Sequence, residues 1–348
     1  MTPTENIAYF NGELKPESQV SISIRDRGYL YGDAVFDATR TFNGAPFKLS
    51  RHIHRLYDSL RYLRIDVGME MDEMERWSRE VVQHNYPLLP PNQDLWVMQR
   101  ISRGLDSTGP DDRQGPTVLI ETHAIPFARR APLYMDGARV ITPSVPRIPP
   151  RFVSPRAKTH NYLNLILGDL EAQATEPDSW AVLLDENGNL TEGRGSNIFL
   201  VKDGVVATPQ GQFVLEGITR DTVMDLARGL DMPVEQKDID LFDAYTADEA
   251  FLTWECGRST LTDDHQLLTP VVLFPCEVVV VVDELELLPT KDLHHLARHP
   301  FPSGVGVPAG QAHRLPVVVP QLCVQAEKHF HVHVGPVAPI ETLSQCDE

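Results

Sequence analysis

Positive charge is scarce in this chain of 348 residues, which has 31 lysine and arginine residues against 49 aspartate and glutamate residues. The net charge of −18 repels phosphate backbones, and this argues against nucleic-acid binding. Lysine is the rarer cation, with seven residues against 24 arginines. This scarcity alone says little about which lysine is functional, so the neighbours of each lysine have to decide.

The chain also lacks an uninterrupted apolar run of membrane-spanning length. Its most apolar stretch, residues 268–288, is broken by two prolines and two acidic residues, Pro270, Pro275, Glu277 and Asp283. It is therefore not predicted to span a membrane. The first residues show no basic region followed by an apolar segment, so we expect no signal peptide and a cytoplasmic protein.

Cysteine is absent from the first 255 residues. The four cysteines are Cys256, Cys276, Cys323 and Cys346, and eight of the 13 histidines also lie beyond residue 254. The composition thus changes abruptly at about this position.

The length allows two domains or one large one. Residues 1–124 are predicted to form a small α/β domain. Its predicted strands are 7–10, 20–24, 34–42, 94–103 and 117–123, and its predicted helices begin at Ser50, as N-cap, and at Asp72. Residues 125–137 contain two prolines without periodicity, which is typical of a linker.

Residues 138–253 are predicted to form a second domain. The predicted strands are 138–142, 180–184, 197–201 and 205–208, and the predicted helices are 160–175, 219–230 and 240–245. Residues 254–348 lack a long amphipathic helix and stand apart from both domains.

Lys158 is the lysine with a special environment. A lysine is more often a solvated surface charge, but this one lies in an irregular stretch that leads into an apolar helix beginning near Tyr162. Such surroundings can desolvate the amine, as nucleophilic lysines require.

Two further motifs follow Lys158. Glu192 lies in a glycine-rich hairpin, where a solvent-exposed carboxylate is the ordinary alternative. Gly217-Ile218-Thr219 opens a helix whose N-terminus offers N–H groups to an anion, although Thr219 could be a simple N-cap. Arg55, in His52-x-x-Arg55-Leu56, is a second anion-binding candidate or a solvated helix arginine.

Taken in this order, the motifs resemble the class IV (fold type IV) aminotransferases over about residues 7–253. This family includes branched-chain aminotransferases, D-amino acid transaminases, (R)-selective amine transaminases and aminodeoxychorismate lyase. The resemblance implies an α+β fold of two domains, a small α/β domain and a larger β-barrel-like domain with flanking helices. It also implies pyridoxal 5′-phosphate as cofactor.

The resemblance implies a role for each motif residue. Lys158 would bind the cofactor covalently and act as general base and acid. Glu192 would keep the pyridine nitrogen protonated, and Tyr162 would hydrogen-bond the phenolic oxygen. Arg55, Ile218 and Thr219 would bind the phosphate.

Substrate recognition is predicted from two segments. Strand alternation places Phe36, Ala38 and Arg40 on one face of residues 34–42. Arg40 could meet a substrate carboxylate, or it could pair with an acidic neighbour. Arg103, in an Ile-Ser-Arg-Gly segment similar to that of D-amino acid and (R)-amine transaminases, is a second carboxylate candidate.

The resemblance implies a homodimeric transaminase that moves an amino group from a branched-chain or D-amino acid, or an amine, to a 2-oxo acid. Three alternatives remain open at this point. One is a lyase of the aminodeoxychorismate type, another is a cofactor-binding pseudoenzyme, and the third is an α/β protein with accidental motifs.

The resemblance ends near Thr253, where the family continues with a loop that binds phosphate and substrate. A reading-frame shift or misjoined gene near residue 254 would explain the change and predicts a poorly ordered tail; a divergent extension is the other explanation. Four tail residues, Cys323, His329, His331 and His333, match no standard zinc spacing, so no metal is expected.

Overall fold

The computed structural model describes residues 4–105, 115–128, 133 and 137–254, with the backbone of residues 272–273 and 279–282. The helices are α1 (Arg27–Tyr31), α2 (Leu49–Leu63), α3 (Met71–Asn85), α4 (Leu163–Thr175), α5 (Ile218–Gly229) and α6 (Leu241–Tyr245). The strands are β1 (Ile7–Phe10), β2 (Glu13–Pro16), β3 (Ala34–Phe42), β4 (Ala45–Pro46), β5 (Leu95–Ser102), β6 (Thr117–Ala124), β7 (Val140–Thr142), β8 (Trp180–Ala181), β9 (Ser196–Lys202), β10 (Val205–Pro209), β11 (Val234–Lys237), β12 (Glu249–Trp254), β13 (Val272–Leu273) and β14 (Val279–Val282).

The first sheet is antiparallel and has the order β2-β1-β6-β5-β3-β4. Helices α2 and α3 share one hydrophobic core with it. The α2 contribution is Leu49, Ile53, Leu56 and Leu60, all buried. Their spacing of three and four residues gives one apolar stripe, and burial of each side chain stabilises the fold by about 1.5–3 kcal/mol.

The second sheet has the order β11-β10-β9-β12-β14, and a smaller sheet has the order β13-β7-β8. Strands β9 and β12 are antiparallel, with Phe199 opposite Phe251 and their rings stacked at 4.8 Å. Trp180 of β8 and Trp254 of β12 meet edge to face at 4.8 Å. These aromatic pairs pack the end of β12 against the neighbouring elements.

Two local predictions for the N-terminal part of the chain are wrong, one about a strand and one about a helix N-cap. Residues 20–24 form no strand, and Ile24 is 77% exposed, because alternation alone does not make a strand without a hydrogen-bonded neighbour. Ser50 is not the N-cap of α2. Lys48, in the left-handed region with φ 46°, turns the chain from β4 directly into the helix.

The sequence did not predict strands β2 and β11. Both lie at sheet edges, where charged residues are common and obscure the alternation of apolar side chains. By contrast, β3 has the predicted bounds, and helices α4 to α6 begin within three residues of the predicted positions.

All of these elements belong to one compact unit, Met1–Phe301. The division into domains at residues 124, 137 and 253 stays a prediction. In the part of the chain that the structure describes, no helix has the length and hydropathy needed to cross a membrane.

Candidate active site

Lys158 lies on an extended segment that runs beside the start of β3. The amide of Phe36 donates to the Lys158 carbonyl at 3.0 Å, and the amide of His160 donates to the Ala34 carbonyl at 2.9 Å. The Lys158 amide donates to Ser59 Oγ of α2 at 3.0 Å. These bonds fix the lysine between the first sheet and α2.

The Lys158 side chain is buried, with 3% of the residue exposed. Its Nζ lies 5.0 Å from the centre of the Phe36 ring. Lys158, Tyr162, Glu192 and Gly217 line one narrow inner cavity of about 40 Å³. A lysine shielded from water in this way is suited to react with a carbonyl compound.

Glu192 is held at the inner cavity by two partners. Arg147 donates from Nε and Nη2 to Oε1 at 3.0 and 2.9 Å, and the Leu215 amide donates to Oε2 at 2.8 Å. Only 4% of Glu192 is exposed. Each carboxylate oxygen can accept two hydrogen bonds, so Oε2 can still accept one from a protonated ring nitrogen.

The sequence did not identify Arg147, which lies in a proline-rich stretch 45 residues before Glu192. Gly193, next to Glu192, lies in a tightly packed part of the hairpin. A Cβ there would lie 2.7 Å from the Ala181 carbonyl oxygen, so the glycine permits close packing of the hairpin against β8.

The N-terminus of α5 lies at the same cavity. Gly217 is its N-cap and makes no side-chain capping bond, while Ile218 and Thr219 form the buried first turn. Thr219 is therefore not the N-cap that the simpler interpretation allowed. The positive end of the helix dipole and the first-turn amides suit an anion at this position.

Helix α2 makes hydrogen bonds at this end of α5. Arg55 Nη1 donates to the Glu216 carbonyl at 3.1 Å, immediately before Gly217. Lys48 Nζ donates to Thr222 Oγ1 at 2.7 Å. Arg55 thus lies beside the predicted phosphate position, and Lys48 adds a cation that the sequence did not identify.

Arg55 is oriented by a buried cluster with Asp37 and His52. Its Nε donates to Asp37 Oδ2 at 2.9 Å and its Nη2 to Oδ1 at 2.8 Å, and His52 Nδ1 lies 2.8 Å from Oδ1. Burial alone would raise the pKa of Asp37, but the Arg55 guanidinium and His52 hold that pKa well below its usual value. Asp37 is therefore a carboxylate that fixes Arg55.

The Phe36 ring lies at the centre of the reactive side chains. Its centre is 5.4 Å from the rings of His160 and Tyr162 and 5.6 Å from Arg100 Cζ, in addition to its contact with Lys158. The sequence missed Arg100 and His160. The register of β3 and β5 sets Phe36 directly opposite Arg100, and that pairing would have revealed the arginine.

Arg100 is held by an acidic neighbour on β6. Its Nε donates to Glu121 Oε1 at 2.7 Å. Burial would raise the pKa of Glu121, but hydrogen bonds from His123 and Arg100 lower it to about 2. Glu121 is therefore charged at neutral pH and fixes the guanidinium of Arg100.

An outer cavity of about 360 Å³ adjoins the inner one and shares Tyr162, Arg194, Gly195 and Ser196 with it. Arg100 and His160 form a polar end of this cavity, while Arg194 is paired with Asp169 at 2.7 Å. The apolar wall is formed by Phe36, Met98, Ile166, Trp180 and Trp254. This combination can accept an apolar side chain and also offers a cation at the polar end.

The structure does not bring the two predicted carboxylate candidates to this site. Arg103 donates from Nε and Nη2 to Asp33 at 2.7 and 2.9 Å, and Arg40 donates to the Thr41 carbonyl and lies over the Phe42 ring at 4.0 Å. The linings of the two cavities, as far as the described residues form them, include neither arginine. Arg40 is four residues along β3 from Phe36, or about 13 Å.

The described residues fit pyridoxal phosphate by their chemistry. The inner cavity combines a buried amine, a fixed carboxylate and a helix N-terminus, which are the groups needed by an aldehyde, a pyridine nitrogen and a phosphate. Thr253 Oγ1 also lines this cavity, and it is buried without a hydrogen-bond partner among the described residues. A bound ligand would supply that partner.

The loop that should follow Thr253, the explanations for the change near residue 254 and the cysteines and histidines of the tail lie outside the described residues. Within the tail, only the backbone of β13 and β14 is described, and β14 pairs in parallel with β12.

Comparisons with known proteins agree on one family. Residues 34–253 match the model of the class IV amino-transferases. A Methanocaldococcus jannaschii protein that carries the name of a branched-chain-amino-acid aminotransferase is 40% identical over 246 residues, 70% of this chain and 83% of the relative. The D-alanine aminotransferase of Bacillus licheniformis is 29% identical over 245 residues, 70% and 83% of the two chains.

Solved structures give the same result. The branched-chain amino acid aminotransferase of T.th., complexed with N-(5′-phosphopyridoxyl)-L-glutamate, superposes with a TM-score of 0.64 and 31% identity, over 73% of this chain and 83% of that chain. The same enzyme has been solved with 4-methylvaleric acid. The Escherichia coli branched-chain enzyme has a TM-score of 0.66 and 28% identity, over 72% and 83%. The chain therefore belongs to the class IV aminotransferases, which have fold type IV and use pyridoxal phosphate.

Proposed function

We propose that this aminotransferase exchanges the amino group between an apolar, branched-chain amino acid and a dicarboxylic 2-oxo acid. The observation that carries the proposal is the outer cavity, which is lined by an apolar wall that includes Phe36 and by Arg100, while Lys158 Nζ lies 5.0 Å from the same Phe36 ring. Two ligands of the T.th. relative, an L-glutamate adduct and 4-methylvaleric acid, have these two kinds of side chain.

We assign the residue roles as follows. Lys158 would hold the cofactor covalently, and its amine would act as general base and general acid towards the substrate Cα. Glu192, fixed by Arg147, accepts a hydrogen bond from the pyridine nitrogen, and Tyr162 donates to the phenolic oxygen. Arg55, Ile218 and Thr219 bind the phosphate. When bound, the cofactor supplies the electron sink for deprotonation at the substrate Cα.

Phe36 and Arg100 are the proposed substrate contacts. The Phe36 ring forms a flat apolar surface for an aliphatic side chain, and the Arg100 guanidinium offers paired donors to a carboxylate. Arg100 replaces Arg40 and Arg103 as carboxylate candidate because both of those arginines are engaged away from the cavity.

The lyase and pseudoenzyme alternatives are not favoured, because the relatives described above carry the names of aminotransferases. A lyase would also need no 2-oxo acid. Activity that persists in the absence of any 2-oxo acid would bring that alternative back.

We also propose a homodimer. Residues 22–31 expose five large apolar side chains just before β3, namely Ile22, Ile24, Tyr29, Leu30 and Tyr31. Several large exposed apolar side chains within one short segment are typical of an interface. The predicted cytoplasmic location stays a prediction, which fractionation of the native cells would test.

The test uses the full chain with added pyridoxal phosphate. Borohydride reduction followed by peptide mapping should place the covalent label on Lys158, and the Lys158→Ala variant should lose it. Lys202→Ala is the matched control, since Lys202 is exposed and its amine donates to nearby Thr246 at 2.7 Å, away from the cavities.

Activity is measured as transfer of the amino group from leucine to 2-oxoglutarate. Turnover at roughly 1–10³ s⁻¹ in the wild type, and none in Lys158→Ala, is the expected result. Label on surface lysines, or transfer that survives Lys158→Ala, would contradict the proposed role of this residue.

A further inference from the structure

His160 is a polar side chain of the site to which no role has been assigned. It lies two residues after Lys158 on the segment that pairs with β3, where Thr159 bridges Val35. Since alternate residues of an extended segment point the same way, the side chains of Lys158 and His160 share one side. Both reach the Phe36 ring, at 5.0 and 5.4 Å.

The Nε2 atom of His160 is buried and has no hydrogen-bond partner among the described residues. A buried polar atom without a partner is destabilising, so it calls for an explanation. The ring lines the outer cavity together with Arg100. A ligand in that cavity can therefore supply the partner that the protein lacks.

The charge state of the ring decides which partner fits. Burial, assisted by the positive charge of Arg100, lowers the pKa of His160 to about 4, while Asp26 opposes this shift. The imidazole is therefore neutral at pH 7, and one of its nitrogens carries a proton. With Arg100 attracting an anion to the same end of the cavity, a donor at Nε2 would complete the binding of a carboxylate.

We propose that His160 is a specificity-determining residue, whose Nε2–H donates a hydrogen bond to the side-chain carboxylate of a dicarboxylic substrate held by Arg100. This inference rests on the proposed function, because it concerns the dicarboxylic partner of the exchange. An apolar substrate has no acceptor at this position, so His160 separates the two substrate classes.

The test measures ligand binding to the full-chain holoenzyme by calorimetry, with glutarate as the unreactive dicarboxylate and 4-methylvalerate as the apolar acid. His160→Leu should weaken glutarate binding about tenfold to a hundredfold, the range for losing a hydrogen bond to a charged group. The affinity for 4-methylvalerate should fall by much less. His160→Gln, which keeps a donor amide, should recover most of the glutarate affinity.

His54→Leu is the matched control, because it makes the same substitution at an exposed histidine of α2. Steady-state kinetics should agree with calorimetry, with a rise in KM for 2-oxoglutarate and a smaller change in kcat. Equal losses for both acids, or unchanged glutarate binding in His160→Leu, would overturn the inference and leave His160 a structural role.

The two proposals can fail separately. Absence of amino transfer by the wild-type holoenzyme would refute the proposed function, while glutarate binding would still report on His160. Wild-type protein that transfers amino groups but does not bind glutarate would refute the role of His160 alone.

Discussion

Replacement of Asp37 by asparagine should destabilise the protein far more than its small change in shape suggests. Asp37 is completely buried and accepts from Arg55 at both oxygens, from His52 and from its neighbouring Ala38 amide. An asparagine that keeps its oxygen at the Oδ1 position would turn its NH₂ group towards Arg55 Nε–H. Two donors would then face each other beside an uncompensated buried cation.

The size of the effect follows from this geometry. Removing one partner of a buried ion pair costs about 3–5 kcal/mol. Since domains are stable by only about 5–15 kcal/mol, Asp37→Asn should lose a large fraction of the free energy of unfolding. Urea denaturation of the full chain at pH 7, followed by fluorescence, measures this loss.

Asp58→Asn is the matched control. Asp58 accepts from Arg61 at 2.8 Å, the same distance as in the Asp37–Arg55 contact, but its side chain is 72% exposed. Because water screens an exposed pair, this variant should change the free energy of unfolding by about 0.5 kcal/mol or less. Equal losses in the two variants would refute the reasoning that burial makes the Asp37 contact strong.

The pH dependence gives a second check on Asp37. Because its folded-state pKa is lowered, its stabilising contribution is present above the unfolded-state pKa of about 3.9 and is lost as pH falls further. The difference between wild type and Asp37→Asn should therefore be largest near neutral pH and shrink below about pH 4. A difference that stays constant from pH 7 to pH 3 would contradict the assignment of a charged Asp37.

Other residues give further predictions. Glu192→Gln should lower the transamination rate about a hundredfold or more, because a neutral amide cannot stabilise a protonated pyridine nitrogen. The borohydride-reduced label should stay on Lys158 in this variant. A rate near that of wild type would contradict the proposed role of Glu192. Arg100→Met should raise the KM for 2-oxoglutarate much more than that for leucine, and equal changes in steady-state assays would count against the carboxylate contact. Ile24→Asp should convert the proposed dimer to a monomer in sedimentation experiments. Phe242→Asp is the control, at a 70% exposed site on α6, and should not have this effect. Dissociation in both variants, or in neither, would count against this interface.

The sequence predicted those parts of the site that depend on local signals. Glu192 in its glycine-rich hairpin, and Ile218 and Thr219 at a helix start, were singled out because these short motifs resemble those of the class IV aminotransferases. The structure places Lys158, Tyr162, Glu192 and the N-cap of that helix around one cavity, within a fold class that the comparisons confirm.

The parts of the site that the sequence did not predict depend on contacts between distant segments. Arg100 faces the site because β3 and β5 pair in one register, and a shift by one residue would turn it to the other face. Arg147 reaches Glu192 across 45 residues of chain. Arg103 was chosen from a local motif, but it lies just beyond β5, where Asp33 and two backbone carbonyls engage it. Local motifs do not contain this information.

Helix α2 links the two ends of the proposed cofactor site. Arg55 reaches the carbonyl that precedes the α5 N-terminus, and Ser59, one turn later, accepts from the Lys158 amide. Ser59 Oγ also donates to the Arg55 carbonyl at 2.9 Å, so both contacts come from one rigid turn. A four-residue step along a helix is about 6 Å, so a single turn of α2 contacts both the segment before the α5 N-terminus and the backbone of Lys158. Asp37 of β3 holds Arg55 in that turn. This buried carboxylate therefore supports the geometry of the site without taking part in the proposed chemistry.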